Sequence, residues 1–187
     1  ALASTVTVMP VSDAPLVTNF AGDNTDAANA GIVNIDLDGN GLVSDIDSAD
    51  FDGGRLTISR SSGLSGNFRL DGVNAKSGAD GILQTAEAII VASSTIGSVI
   101  SDGQGTNSLV IEFNGNSTPA RVQTLLRYLQ YSSSVSGTHG FSLSISDDAV
   151  ANTPATSTAA AFSIKVNALP VSTTVANKTV VDGQRTD

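Results

Sequence analysis

Apolar and polar positions alternate over much of the chain. Residues 55–60 (RLTISR), 108–113 (SLVIEF), 141–146 (FSLSIS) and 160–166 (AAFSIKV) each repeat with a period of two. That period marks strands with one buried face. Residues 88–92 are a short continuous apolar run, and 95–100 (TIGSVI) read as a strand kinked at glycine. Turn-forming stretches separate these segments, among them SDGQGTN and SSSVSGTHG. The pattern predicts a mostly β protein, an antiparallel β-sandwich.

One segment departs from this pattern. In STPARVQTLLRYLQYSS, Val122, Leu125, Leu126 and Leu129 follow at i, i+3, i+4 and i+7. Thr118 suits the cap and Pro119 the first helical position. The segment predicts one short α-helix with one face packed on the sandwich. Arg121 and Arg127 would lie near each other on it, either solvating that face or receiving an acidic ligand group. Residues 82–87 (ILQTAE) read as a further helical turn.

Composition narrows the chemistry. The 187 residues are 40% hydrophobic but only 4% aromatic, with no Trp, so the core must come from Val, Ile, Leu and Ala. With 9 basic and 18 acidic residues the net charge is −9, which argues against nucleic acid and anionic membranes as partners. No apolar run approaches the ~20 residues that span a bilayer, so no membrane insertion is expected. There is no cysteine, so neither disulfides nor thiolate metal sites exist. A Cys-free chain rich in Asp, Ser and Thr fits a secreted bacterial protein stabilised by calcium.

The acids themselves are concentrated. Asp36, Asp38, Asp45, Asp47, Asp50 and Asp52 fall in one seventeen-residue run, DLDGNGLVSDIDSADFD, that contains no Lys or Arg. Such crowding calls for a positive charge from elsewhere, and a hard cation with oxygen ligands, above all Ca²⁺, is the economical candidate. In one reading Asp36, Asp38 and Asn40 occupy positions 1, 3 and 5 of a twelve-residue calcium loop. Gly41 then stands at 6, Leu42 at 7, Ser44 at 9 and Asp47 at 12. Asp is shorter than the usual Glu at position 12, and the flanks read as strands rather than helices. In a second reading Asp45, Asp47, Asp50 and Asp52 form their own cluster ahead of Gly53-Gly54, and two adjacent ions would satisfy both. The alternative is a solvated acidic loop closed by Asx turns. Asp147 and Asp148, at a strand end, are candidates to complete a calcium site, and Asp71 in a Gly-rich stretch is another.

Catalysis finds little support. His139 is the only histidine, in a Ser/Gly stretch where an exposed loop residue is expected, and no nucleophile elbow accompanies it. The two glutamates, Glu87 and Glu112, make no glycosidase pair beside an aromatic platform, and zinc lacks ligands. No enzyme is expected.

Both ends read as parts of a longer chain. TVTVMPVSDAPLV and FSIKVNALPVSTTV share a strand–joint–strand form, and Pro10 and Pro170 lie 160 residues apart. The expected organisation is 1–12 as the end of a preceding strand, 13–167 as the module, and 168–187 as a linker into the next.

Two motif blocks carry a resemblance. D-x-D-S-x-x-F-x-G-G-x-L (45–56) and T-P-x-x-V-Q-x-L-L-R-x-L-x-Y (118–131), followed by SLSISDD and a closing strand, resemble the cadherin-like tandem modules of giant bacterial RTX adhesins. The resemblance runs from about residue 13 to 167. It implies a cadherin-like or Ig-like sandwich at the bacterial cell surface, rigidified by Ca²⁺ in its loops and joined to neighbouring modules. Long stretches at 21–35 and 60–87 exceed a minimal extender. They make the chain similar to the peptide-binding modules of marine RTX adhesins, which hold the C-terminal end of a protein ligand with the help of calcium. The resemblance thus implies calcium-dependent adhesion to a protein or peptide ligand, by a piece that is monomeric when isolated. The alternative is a purely structural extender.

Overall fold

The computed structural model describes residues 12–147 and 155–170. The strands are β1 (Leu16–Thr18), β2 (Asn24–Ala27), β3 (Ile32–Asn34), β4 (Leu42–Ser44), β5 (Arg55–Arg60), β6 (Asn67–Arg69), β7 (Ala75–Lys76), β8 (Ala88–Val91), β9 (Ser94–Asp102), β10 (Leu109–Phe113), β11 (Gln130–Ser132), β12 (Gly137–Ser146) and β13 (Ala160–Val166). One helix, α1 (Pro119–Tyr128), lies between β10 and β11.

The fold is mostly β, as the period-two segments predict. An eight-stranded sheet runs β2-β13-β12-β5-β10-β9-β8-β7, a three-stranded sheet β3-β11-β6, and β1 pairs with β4. Every pairing between these strands is antiparallel except β2 with β13, which come first and last in chain order among the strands of the large sheet. The alternating side chains converge on one core. Leu56 and Ile58 of β5, Leu109, Ile111 and Phe113 of β10, Phe141, Leu143 and Ile145 of β12, and Phe162, Ile164 and Val166 of β13 are all buried. From the small sheet, Phe68 meets Phe141 with ring centroids 5.5 Å apart, and Tyr131 meets Phe141 at 5.0 Å. The few aromatic residues thus bridge the layers, where each large ring removes the most apolar surface from water.

Helix α1 starts at Pro119 as the sequence predicts, and Val122, Leu125 and Leu126 are buried. Leu129, the fourth residue of the apolar stripe, is the C-cap and is also buried. Thr118 occupies the N-cap in extended conformation without a side-chain cap bond. The helix supports β4 from one side: Gln123 Oε1 accepts from the Val43 amide at 3.3 Å, and Arg127 Nη2 donates to Gly41 O at 3.4 Å. Arg121 turns away from this contact to Asn116 O.

Several local expectations are corrected. Residues 82–87 are not helical; Ile82 bridges to Arg69, and Glu87 Oε2 fastens the stretch by accepting from Gln84 N and Ser77 Oγ. The long stretches at 21–35 and 60–87 carry β2 and β3, and β6 and β7. His139 is not an exposed loop residue: it lies within β12 and is fully buried. The glycine in TIGSVI has a definite cause, because a Cβ on Gly97 would lie 2.2 Å from Glu112 O on the paired strand.

Candidate metal centre

Three chain segments meet at one end of the sheets. β4 delivers Asp45 directly after Ser44, and Asp47 sits in the turn beyond it. β12 ends at Ser146 and delivers Asp147. Ser12 and Asp13 precede β1, which pairs with β4.

Two features of the D-x-D-S-x-x-F-x-G-G block hold these segments in place. Phe51 is fully buried, and its amide donates to Ser117 O at 3.2 Å, which anchors the acidic loop on the core. Gly54 lets the loop close on β12, since a Cβ there would lie 2.1 Å from Ser146 O. Arg55 and Ser146 are then register partners, so the start of β5 and the end of β12 share one edge.

The result is a cluster of three carboxylates. One oxygen each from Asp45, Asp47 and Asp147 lies within 4.8 Å of the others. Ca²⁺ binds oxygen at roughly 2.3–2.6 Å, so two ligands on opposite sides of one ion stand about 5 Å apart. The three oxygens therefore fit around a single hard cation. Asp147 is buried at 1% exposure, Asp45 half-buried and Asp47 exposed. Among the described residues the one ion pair is Arg55–Glu112, so no basic side chain neutralises the cluster.

Hydrogen bonds orient the carboxylates. Asp45 Oδ1 accepts from the Asp47 and Ser48 amides at 3.0 and 2.9 Å. Asp45 Oδ2 is buried and has no hydrogen-bond partner among the described residues. Asp47 Oδ2 accepts from the Asp13 amide at 3.1 Å. Asp147 Oδ1 accepts from the Ala155 amide at 3.0 Å, and its Oδ2 from Ser12 Oγ at 2.7 Å and Ser48 Oγ at 3.3 Å. Burial, more than the neighbouring Asp47 carboxylate, pushes the Asp45 acid up from its ordinary value, against the pull of two amides. The Asp13 amide chiefly holds Asp47 below its ordinary value. Without a cation, Asp45 is the member of the pair that favours a proton. A buried oxygen without a partner on a carboxylate that resists ionisation fits a divalent cation with oxygen ligands.

The other candidates lie elsewhere. Asp36 is buried, with Oδ1 accepting from the Asn40 amide and Oδ2 from the Gly41 amide, both at 3.1 Å. It closes its own turn, and Asp38 and Asn40 are exposed around it. Positions 7 to 9 of the twelve-residue loop belong to strand β4, which carries Asp47 away from Asp36 and toward Asp147. Asp23 joins Asp36 and Asp38 in a looser acidic neighbourhood; burial chiefly raises its acid, and both carboxylates add to the rise. Asp50 Oδ1 accepts from the Asp52 amide at 3.1 Å, and Asp52 is exposed. Asp71 is exposed and forms a backbone β-bridge with Lys76, five residues on. Asp148 lies outside the described residues. Ser12, Ser48 and the Asp13 amide were not among the sequence candidates. Ser48 stands inside the D-x-D-S motif, whereas nothing in the local sequence marks Ser12. Comparison of the chain with protein-family models, with curated proteins and with solved structures gave no match in any of the three.

Proposed function

We propose that the chain is a calcium-stabilised, cadherin-like β-sandwich module of a secreted bacterial RTX-type adhesin. The observation that carries the metal is the convergence of Asp45, Asp47 and Asp147 around the unpartnered Asp45 Oδ2. Ca²⁺ there offsets the burial cost of the Asp45 carboxylate and the repulsion among three carboxylates. Because Ser12 and Asp13 reach into the same cluster, the ion also fastens the chain leading into β1. The adhesin assignment rests on the resemblance of the two motif blocks.

In the adhesive reading the site holds a protein or peptide ligand beside the ion. It is favoured by an apolar cavity of about 580 Å³ next to the cluster, lined by Ala14, Leu16, Ser44, Asp45 and Ile46. Ile46 is 87% exposed there, more than a spacer requires. The spacer reading is favoured by the clasp on Ser12 and Asp13, a purely structural task. Calorimetric titration of the chelator-treated chain with Ca²⁺ tests the metal: binding that survives Asp147→Asn undiminished would overturn it. Peptide and glycan arrays probed with calcium and with chelator separate the other two readings. Calcium-dependent capture supports adhesion, and silence in both arms leaves the spacer.

A further inference from the structure

We propose that the outer face of the β1–β4 ribbon docks a cationic, apolar peptide segment of a partner protein. Leu16, Leu42 and Ile46 take its apolar side chains, and the flanking aspartates take its Lys and Arg side chains. The inference rests on the adhesive reading of this end of the chain and names the chemistry of the ligand.

The ribbon has two faces. Leu16 pairs with Ser44, Val17 with Val43 and Thr18 with Leu42. Directly paired residues point to one side of a sheet, and successive residues alternate. Val17 and Val43 therefore share the inner face, where Val43 is buried and Val17 packs against the core. Leu16, Thr18, Leu42 and Ser44 share the outer face. A ribbon with one face on the core places polar residues on the other. Here that other face carries two leucines, 58% and 44% exposed. Ile46, two residues past β4, extends it. Ala14 and Leu16 on one segment and Ser44, Asp45 and Ile46 on the other enclose the cavity of about 580 Å³ between them. Apolar groups gathered in this way mark an interaction surface.

Charge decides what fits. Residues 12–54 hold nine aspartates and no Lys, Arg, Glu or His. Asp13 adjoins Ala14, Asp45 lines the cavity, Asp47 follows Ile46, and Asp38 precedes β4. Asp13, Asp38 and Asp47 are exposed. The nearby bases are engaged elsewhere: Arg127 Nη2 turns to Gly41 O at the other end of β4, and Arg55 pairs with Glu112. One Ca²⁺ among Asp45, Asp47 and Asp147 still leaves those three carboxylates with a net negative charge.

An apolar surface flanked by one sign of charge draws partners of the opposite sign and rejects those of its own. A second copy of this chain would bring the same acids face to face. Nucleic acid and anionic lipid meet the same repulsion. A segment with Lys or Arg beside Leu, Ile or Val satisfies both halves of the site. Its apolar groups fill the cavity, and its bases lie over the carboxylates.

Fluorescence anisotropy of the calcium-loaded full chain with three short, end-capped, labelled peptides tests the proposal. One alternates Lys and Leu, one Lys and Ser, one Glu and Leu. The Lys/Leu peptide is expected to bind at least ~10-fold more tightly than the Lys/Ser peptide, and the Glu/Leu peptide is expected not to bind. Raising the salt from about 0.1 M to about 1 M, which cuts the Debye length from ~10 to ~3 Å, is expected to weaken Lys/Leu binding several-fold. Ile46→Ser is expected to weaken it about 10-fold, the loss of one buried aliphatic side chain. Val73→Ser, which removes another exposed side chain on the β6–β7 turn, is expected to leave it unchanged. Amide shifts of the natural chain are expected to place the peptide on Leu16, Leu42 and Ile46, and this mapping depends on no variant. Tighter binding of the Glu/Leu peptide, equal binding of the Lys/Ser peptide, indifference to Ile46→Ser, contacts elsewhere or silence in every arm overturns the proposal. A dimer dispersed by Ile46→Ser in sedimentation gives the face to a second copy and overturns it as well. The adhesive reading is judged separately, by calcium-dependent capture of any ligand on the arrays.

Discussion

Ser12 Oγ donates to Asp147 Oδ2 at 2.7 Å, joining residues 135 positions apart in the chain. The same carboxylate oxygen accepts from Ser48 Oγ, so the entering chain, the acidic loop and the end of β12 share one acceptor.

A cation at this junction ties three segments at once, and its removal is expected to cost global stability. Binding only the folded form contributes about 2.7 kcal/mol at a hundredfold excess over Kd, or about 5–10 °C in Tm for a chain of this size. Thermal melts with Ca²⁺ and after chelation measure the difference. A shift below about 2 °C is incompatible with the proposed site.

Asp45→Asn is expected to act in opposite directions with and without metal. Asp45 has a raised acid, so in the metal-free chain its stabilising contribution is complete below the ordinary value of 3.8 and is lost as pH rises through the folded value. At pH 7 the metal-free chain therefore carries an unfavourable charge, which the amide removes. After discounting for solvent screening, the variant is expected to melt about 1–2 °C higher in chelator and to lose most of the calcium-induced rise. Paired melts of both proteins in both buffers check this, and a lower Tm in chelator would count against the repulsion.

Asp36→Ala is expected to destabilise the chain equally with and without calcium. Its two oxygens satisfy the Asn40 and Gly41 amides inside the protein, and stranding those donors costs about 1–3 kcal/mol. Urea unfolding in both buffers measures it. A loss confined to the calcium arm would identify Asp36 as a metal ligand.

Tyr131 gives an alkaline signature. Burial chiefly raises its hydroxyl from the ordinary 10.0, with Arg60 opposing. The folded form thus favours the protonated phenol. This stabilisation is complete below pH about 10 and is lost as pH rises through the folded value. Tyr131→Phe is expected to flatten the fall of stability above pH about 10. At pH 7 it is expected to cost about 1–2 kcal/mol for the bonds lost to Arg60 and His139. Denaturant titrations between pH 8 and pH 11 report both effects.

The strands were legible where burial is one-sided. RLTISR and FSLSIS alternate because one face of β5 and β12 meets the core, and the stripe from Val122 to Leu129 was plain for the same reason. The acidic run was legible as chemistry but not as geometry. Spacing alone does not separate a carboxylate that closes its own turn, as Asp36 and Asp50 do, from one that turns toward a distant partner, as Asp45 does. That choice is made by β4, which spans the middle of the supposed loop, and by the β5–β12 register, which sets Asp147 beside it. His139 was misread because its Ser/Gly surroundings resemble a turn, while the residues that let it be buried, Tyr131 and Arg60, come from other strands.

The parallel pairing of β2 with β13 has a mechanical consequence. The Gly22, Ser163 and Asn167 amides donate across it to Ala161, Asp23 and Ala27 at 2.7 to 2.9 Å. Tension that draws the start of β2 away from the end of β13 runs along the strands, so these bonds bear load together in shear instead of unzipping one after another.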